Sequence, residues 1–182
     1  MRLNLLLILL LPIPVLLAGA TGARGDGDWR PSHVGARYGY SVTNDEHTFD
    51  QAELFALWPL LGRPGDREAI FNLGLEGFAG VVWSHEESAF IGGAGPVFRV
   101  WPARVVALEG GFRVAYLSEY HFVEYPYTDF GGPIQFVSHG GLVVHPASRL
   151  EISARFQHMS NGEIYEENSG LNMLMVGLGW RF

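Results

Sequence analysis

Near the end of the chain, HMSNG at 158–162 places a histidine and a serine two residues apart, His158 and Ser160. Side chains at i and i+2 of a β-strand share a face, so on a strand this imidazole and hydroxyl stand side by side. A serine hydroxyl is a weak nucleophile until a neighbouring base takes its proton, and a histidine is the usual base. The other close Ser/His neighbours, Ser84 with His85 and Ser138 with His139, are adjacent in sequence and point to opposite faces of a strand. Asn172 lies in step with the apolar row Leu174, Val176, Leu178 and Trp180 of the last segment. If that segment pairs with the one carrying His158, Asn172 reaches the imidazole and fixes its tautomer through a hydrogen bond, the third role in a nucleophile, base and orienter set. The side chain of Asn161 and the backbone N–H groups of Gly162 and Glu163 are candidate donors to an oxyanion. A competing source for the third member is an acid of the loop, Glu163, Glu166 or Glu167.

The elements that must position these residues read as strands. Val34, Ala36, Tyr38, Tyr40 and Val42 alternate with Arg37, Gly39 and Ser41. The same period of two recurs over 71–83, 106–116, 150–156 and 174–182, and weaker candidates lie at about 49–58, 88–100 and 133–145. Period two with one greasy face is the mark of a half-buried strand. The count is eight, and an even number of such strands fits an all-β, eight-stranded, antiparallel up-and-down transmembrane barrel. Its outer row is then apolar, and Glu76, Arg99, Glu109, Arg113, Glu151 and Arg155 on the other row become a lumenal ion network. A soluble barrel with the apolar row inside is the rival. Against it, the polar row is heavy in Gly and Ala, and Trp58, Trp83, Trp101, Tyr116 and Trp180 gather at strand ends as interfacial girdles do.

The chain begins MRLNLLLILLLPIPVLLAGA, an apolar run with two prolines that ends in small residues, which reads as a signal peptide over 1–20 with cleavage after Ala20 or Ala23. The barrel domain then occupies 24–182. At 182 residues the chain has room for one domain, and with 48% hydrophobic, 17% charged and 24 glycines it is too apolar for disorder and too glycine-rich for a helical protein. The net charge of -7, with twelve arginines scattered along the chain, gives no basic stripe for nucleic acid. No cysteine is present, which removes disulfides, thiolate nucleophiles and thiolate metal sites.

Short connections (WPA, HPAS) and longer ones (TNDEHT, SEYHFVEYPYTDFGG, NGEIYEENS) orient the barrel, since outer-membrane barrels have short periplasmic turns and long external loops. With both termini periplasmic, His158 and Ser160 lie at the external rim on the lipid-facing row. The connection PLLGRPGDR is longer than this scheme predicts. A plain alternative for His158 and Ser160 is a strand that simply turns polar where it leaves the membrane. The aromatic loop Tyr120 to Phe130 either covers an acyl chain or rests on headgroups. Metal-binding spacings such as H-E-x-x-H and the EF-hand loop are absent, and GGAGP at 92–96 lacks the ending of a phosphate loop, so no metal and no cofactor is expected.

H-x-S-N-G at 158–162, N-x-G at 168–170 and the terminal aromatic Phe182 together resemble the PagL-type lipid A 3-O-deacylases, also called acyloxyacyl hydrolase-like outer-membrane proteins. The specific match covers about residues 155–182. The resemblance implies a catalytic pair at His158 and Ser160, lipid A of the outer leaflet as substrate, and location in a Gram-negative outer membrane. The family's acid is a Glu at the position that Asn172 occupies. The residues alone carry the reading as far as a serine esterase acting on a membrane lipid, with a non-catalytic structural or ligand-binding barrel as the alternative.

Overall fold

The computed structural model describes residues 30–42, 49–61, 70–85, 87–123 and 127–182. The expected signal peptide and the loop TNDEHT lie outside the described residues. Among the described residues are ten strands: β1 (His33–Ser41), β2 (Asp50–Leu61), β3 (Phe71–Ser84), β4 (Glu87–Ala103), β5 (Val106–Leu117), β6 (His121–Phe122), β7 (Thr128–Asp129), β8 (Ile134–Val144), β9 (Leu150–Ser160) and β10 (Leu171–Arg181). Eight of them close into an antiparallel barrel in the order β1-β10-β9-β8-β5-β4-β3-β2, while β6 and β7 form a small hairpin of their own. Closure of β1 on β10 runs from His33↔Arg181 to Ser41↔Met173, so the sheet has no free edge. The architecture is a transmembrane β-barrel, and all three weaker strand candidates are strands in it.

Each strand turns an apolar row outward, as the alternation predicts. Tyr38, Phe98, Leu108, Phe112, Val114, Leu142, Ile152, Phe156, Val176 and Leu178 are all exposed on the outside. In water such a surface would be an aggregation hazard; against lipid tails it is the required belt. Trp83 and Tyr116 mark one rim and Trp180 the other. Trp101 departs from the expected girdle: it has the same parity on β4 as Arg99, so it faces the lumen, where its indole N–H donates to Asn72 Oδ1 at 2.5 Å and its ring packs on His145.

The lumen is filled in three layers. At the end where β1 begins and β10 finishes, the periplasmic end in the orientation expected from loop lengths, lie His33, Arg99, Glu109, His145 and Glu151. In the middle, the guanidinium groups of Arg37, Arg113 and Arg155 converge on the carboxylates of Glu53 and Glu76 at 2.6 to 3.3 Å, all buried. Phe55 and Phe78 cover two of these cations, with Arg37 Cζ 3.6 Å and Arg113 Cζ 3.9 Å from the ring centroids. The ion network expected from the second row is therefore present. The external third differs from that expectation: it is an apolar plug of Phe49, Val82, Ile91, Leu117, Val137, Met159, Leu171 and Met173. The inward positions at these strand ends are mostly apolar, with Gln51 and Gln135 as buried polar exceptions, and the plug keeps water from the charged middle layer.

The β6–β7 hairpin folds back into the external mouth. Phe122 and Phe130 pack edge-on against Phe49 with centroids 5.0 and 5.7 Å away. The loop thus closes the lumen from above, which answers part of the question the aromatic stretch raised: these two rings cover protein, while Val123 and Tyr127 remain exposed.

Candidate functional site

Strand β9 carries its inward row on Glu151, Ser153, Arg155, Gln157 and Met159, all buried, and its outward row on Ile152, Ala154, Phe156, His158 and Ser160. His158 and Ser160 therefore share the outer face at the external rim, where both are half-buried. The hairpin register sets His158 opposite Asn172 of β10 and opposite Ser138 of β8. Ser160 stands opposite Phe136. His158 Nδ1 donates to Asn172 Oδ1 at 2.7 Å, given that an amide oxygen can only accept. With its proton on Nδ1, the ring keeps a lone pair on Nε2, the state a general base needs. Among the described residues no carboxylate pairs with His158; Glu163, Glu166 and Glu167 stay exposed in the loop.

Gly170, at the end of N-x-G, lies against the imidazole. A Cβ there would sit 3.1 Å from His158 Cε1, tight enough to push the ring. The surroundings on the lipid side are apolar: Phe136 stacks on Phe112 with centroids 5.7 Å apart, and Phe156 and Leu174 are exposed below the histidine.

The candidate oxyanion donors separate on inspection. Asn161 is fully buried, and its amide donates to the carbonyl oxygens of Phe130 at 3.0 Å and Glu167 at 2.5 Å. Its Oδ1 accepts the Glu163 N–H at 2.8 Å, and its own backbone N–H donates to Asn168 Oδ1 at 3.0 Å. This corrects the expectation for Asn161 and for the Glu163 N–H: both are committed to holding the loop, because position 161 points inward, one residue out of phase with Ser160. The backbone of Gly162, at φ 64°, turns the chain out of the strand, and its N–H has no partner among the described residues. A Cβ on Gly162 would meet the Phe136 ring at 2.9 Å.

Sequence reasoning missed the fastening between the two loops. Ser169 N–H donates to Asp129 O, Gly131 N–H to Asp129 Oδ1, and Gly131 and Gly132 leave room for the Glu167 carbonyl and the Tyr165 ring. The β6–β7 hairpin is in this way a brace for the β9–β10 loop. No local spacing signals it, since Asn161 and Phe130 meet only through the closed barrel.

A closed, lipid-belted barrel with a plugged lumen and a Ser, His and Asn set on its outer rim defines the class: an integral outer-membrane barrel whose candidate site faces the membrane. A family model described as Lipid A 3-O-deacylase (PagL) matches residues 33–181, and the chain belongs to that family. Among solved structures it is similar to the crystal structure of the outer membrane enzyme PagL, at 16% identity and a TM-score of 0.62, over 82% of this chain and 99% of that one. It is also similar to Neisserial surface protein A, at 11% identity and a TM-score of 0.53, over 82% and 96% of the two chains. At such identities the structural likeness speaks for the fold. No curated protein matches the sequence closely enough to count as a relative.

Proposed function

We propose that this chain is an outer-membrane lipid A deacylase that uses Ser160 as nucleophile and His158 as base, and that it removes the ester-linked acyl chain at the 3-position of lipid A. Family membership supports the substrate class and the reaction. The observation that carries the residue roles is the hydrogen bond from His158 Nδ1 to Asn172 Oδ1, made on the lipid-facing surface and on the same row as Ser160.

The reaction follows from these positions. His158 Nε2 takes the Ser160 proton as Oγ attacks the acyl carbonyl, and the Gly162 N–H is the donor available to the oxyanion. Collapse of the tetrahedral intermediate expels the sugar hydroxyl, which takes its proton from His158, and water then releases the fatty acid by the same steps. Asn172 holds the tautomer throughout, but as a neutral amide it stabilises the imidazolium less than a carboxylate would. A lipid in the external leaflet meets this site without leaving the bilayer, its acyl chains lying along Phe112, Phe136 and Phe156.

The second reading, a barrel without catalysis, draws on the amide at position 172 where the family has Glu. Mass spectrometry of lipid A from cells expressing the wild type or Ser160→Ala separates the two: under the esterase reading only the wild type removes an acyl chain, and under the second reading neither does.

A further inference from the structure

We propose that His33, His145 and Glu151 form a zinc site at the periplasmic mouth of the barrel, at the opposite end from Ser160 and independent of the esterase reading. The three come from distant parts of the chain: the first residue of β1, the residue after β8 and the second residue of β9. Barrel closure brings them together, with Glu151 and His33 each 1% exposed and His145 6%. His33 Nε2 is 3.3 Å and His145 Nε2 3.1 Å from the same oxygen, Glu151 Oε2, and the three ligand atoms all lie within 4.8 Å of one another. Ligand distances of ~2.0–2.1 Å about a tetrahedral zinc imply about 3.3 Å between ligand atoms. Two of the three edges already have that length.

Proton counting points the same way. The Ser32 hydroxyl lies 3.1 Å from Leu57 O and 2.8 Å from His33 Nδ1; when its one proton goes to the carbonyl, it accepts from Nδ1. In that arrangement His33 carries its proton on Nδ1, and Nε2, buried and without a hydrogen-bond partner, is a bare lone pair 3.3 Å from a carboxylate oxygen. That lone pair and the Glu151 oxygen are both acceptors, and a cation shared by the two satisfies the one that the protein leaves without a partner. Two imidazoles and one carboxylate are the donor set of open zinc sites, whose fourth position is filled by water. A cavity of about 200 Å³ lined by Ser32, His33, Ser148, Arg149, Arg181 and Phe182 leads to His33 from the mouth.

Two cations oppose the ion, and they differ. Arg99 binds both oxygens of Glu151 and also Glu109, so this buried trio carries a surplus negative charge before any metal enters. Arg181 is the gate: its NH1 donates to His145 Nδ1 at 2.7 Å, which keeps the His145 proton on Nε2. Zinc on Nε2 of a neutral imidazole requires that proton to move to Nδ1, where it meets the Arg181 donor, so Arg181 must swing away, and its remaining bonds, both to Ser148 O, lie at the exposed mouth.

The test is a zinc titration of the full barrel, refolded in detergent, stripped with chelator and freed of any tag, in competition with a chromophoric chelator. One equivalent should bind, His33→Asn and His145→Asn should each weaken it by roughly 100-fold or more, and Arg181→Gln should tighten it. Unchanged binding in both histidine variants, or no binding to the wild type, overturns the proposal. Should the variants fail to fold, Zn-edge X-ray absorption of the wild type decides: two imidazoles in a four-coordinate shell support the site, and an all-oxygen six-coordinate shell contradicts it.

Discussion

Asn172 accepts one hydrogen bond from His158, and the value of that bond sets what its removal does. At ~1 kcal/mol for a neutral pair, Asn172→Ala should lower turnover about five- to tenfold and leave barrel stability almost unchanged. Asn172→Glu should raise turnover by roughly tenfold, because a bond between a carboxylate and the forming imidazolium is worth ~1–2 kcal/mol more. Steady-state kinetics on purified lipid A checks both; an unaltered rate in the two variants would leave His158 without a third partner. Gly170→Ala makes a separate demand: with a Cβ 3.1 Å from the ring, kcat should fall while KM stays near its original value. The placement of His158, Ser160 and Asn172 was legible in the sequence because strand parity and hairpin register are local rules. The commitment of Asn161 was not, because its partner, the carbonyl of Phe130, arrives from another loop.

At the scale of elements, alternation revealed all eight barrel strands, while the β6–β7 hairpin had no sequence signal beyond its aromatics. Trp101 faces the lumen rather than the girdle because the parity it shares with Arg99 outweighs its nearness to a strand end. The hairpin's bracing function gives a prediction. Asn161→Ala removes two donated bonds and one accepted bond from a buried position, so amide exchange in 161–170 and 128–132 should rise, while exchange in the barrel strands stays slow. Activity should fall with it, since the Gly162 N–H is held in place by that loop. Equal exchange in wild type and variant would show that the brace does nothing.

Over the whole molecule, the sequence disclosed that charges fill the lumen but not how they balance. In the middle layer three arginines face two glutamates, and this asymmetry is testable. Glu53→Gln leaves three cations on one carboxylate and should destabilise the barrel by about 3–5 kcal/mol, whereas Arg155→Met restores parity and should cost less, as urea unfolding in detergent would measure. The apolar plug lies above this layer, and hydropathy alone does not assign its residues to the lumen, since apolar side chains mark both the lipid belt and the plug. The barrel itself should migrate differently on gels before and after boiling; recovery as a soluble monomer without detergent would refute the membrane assignment.

The central claim is that Ser160, on the outer face at the external rim, attacks an ester of lipid A. Mass spectrometry of lipid A, from cells carrying the wild type or a folded, heat-modifiable Ser160→Ala barrel at equal abundance, tests it most directly. Loss of the 3-linked acyl chain in the wild type and its retention in Ser160→Ala is the predicted result; equal deacylation by the two, or an intact lipid A in both, would contradict it.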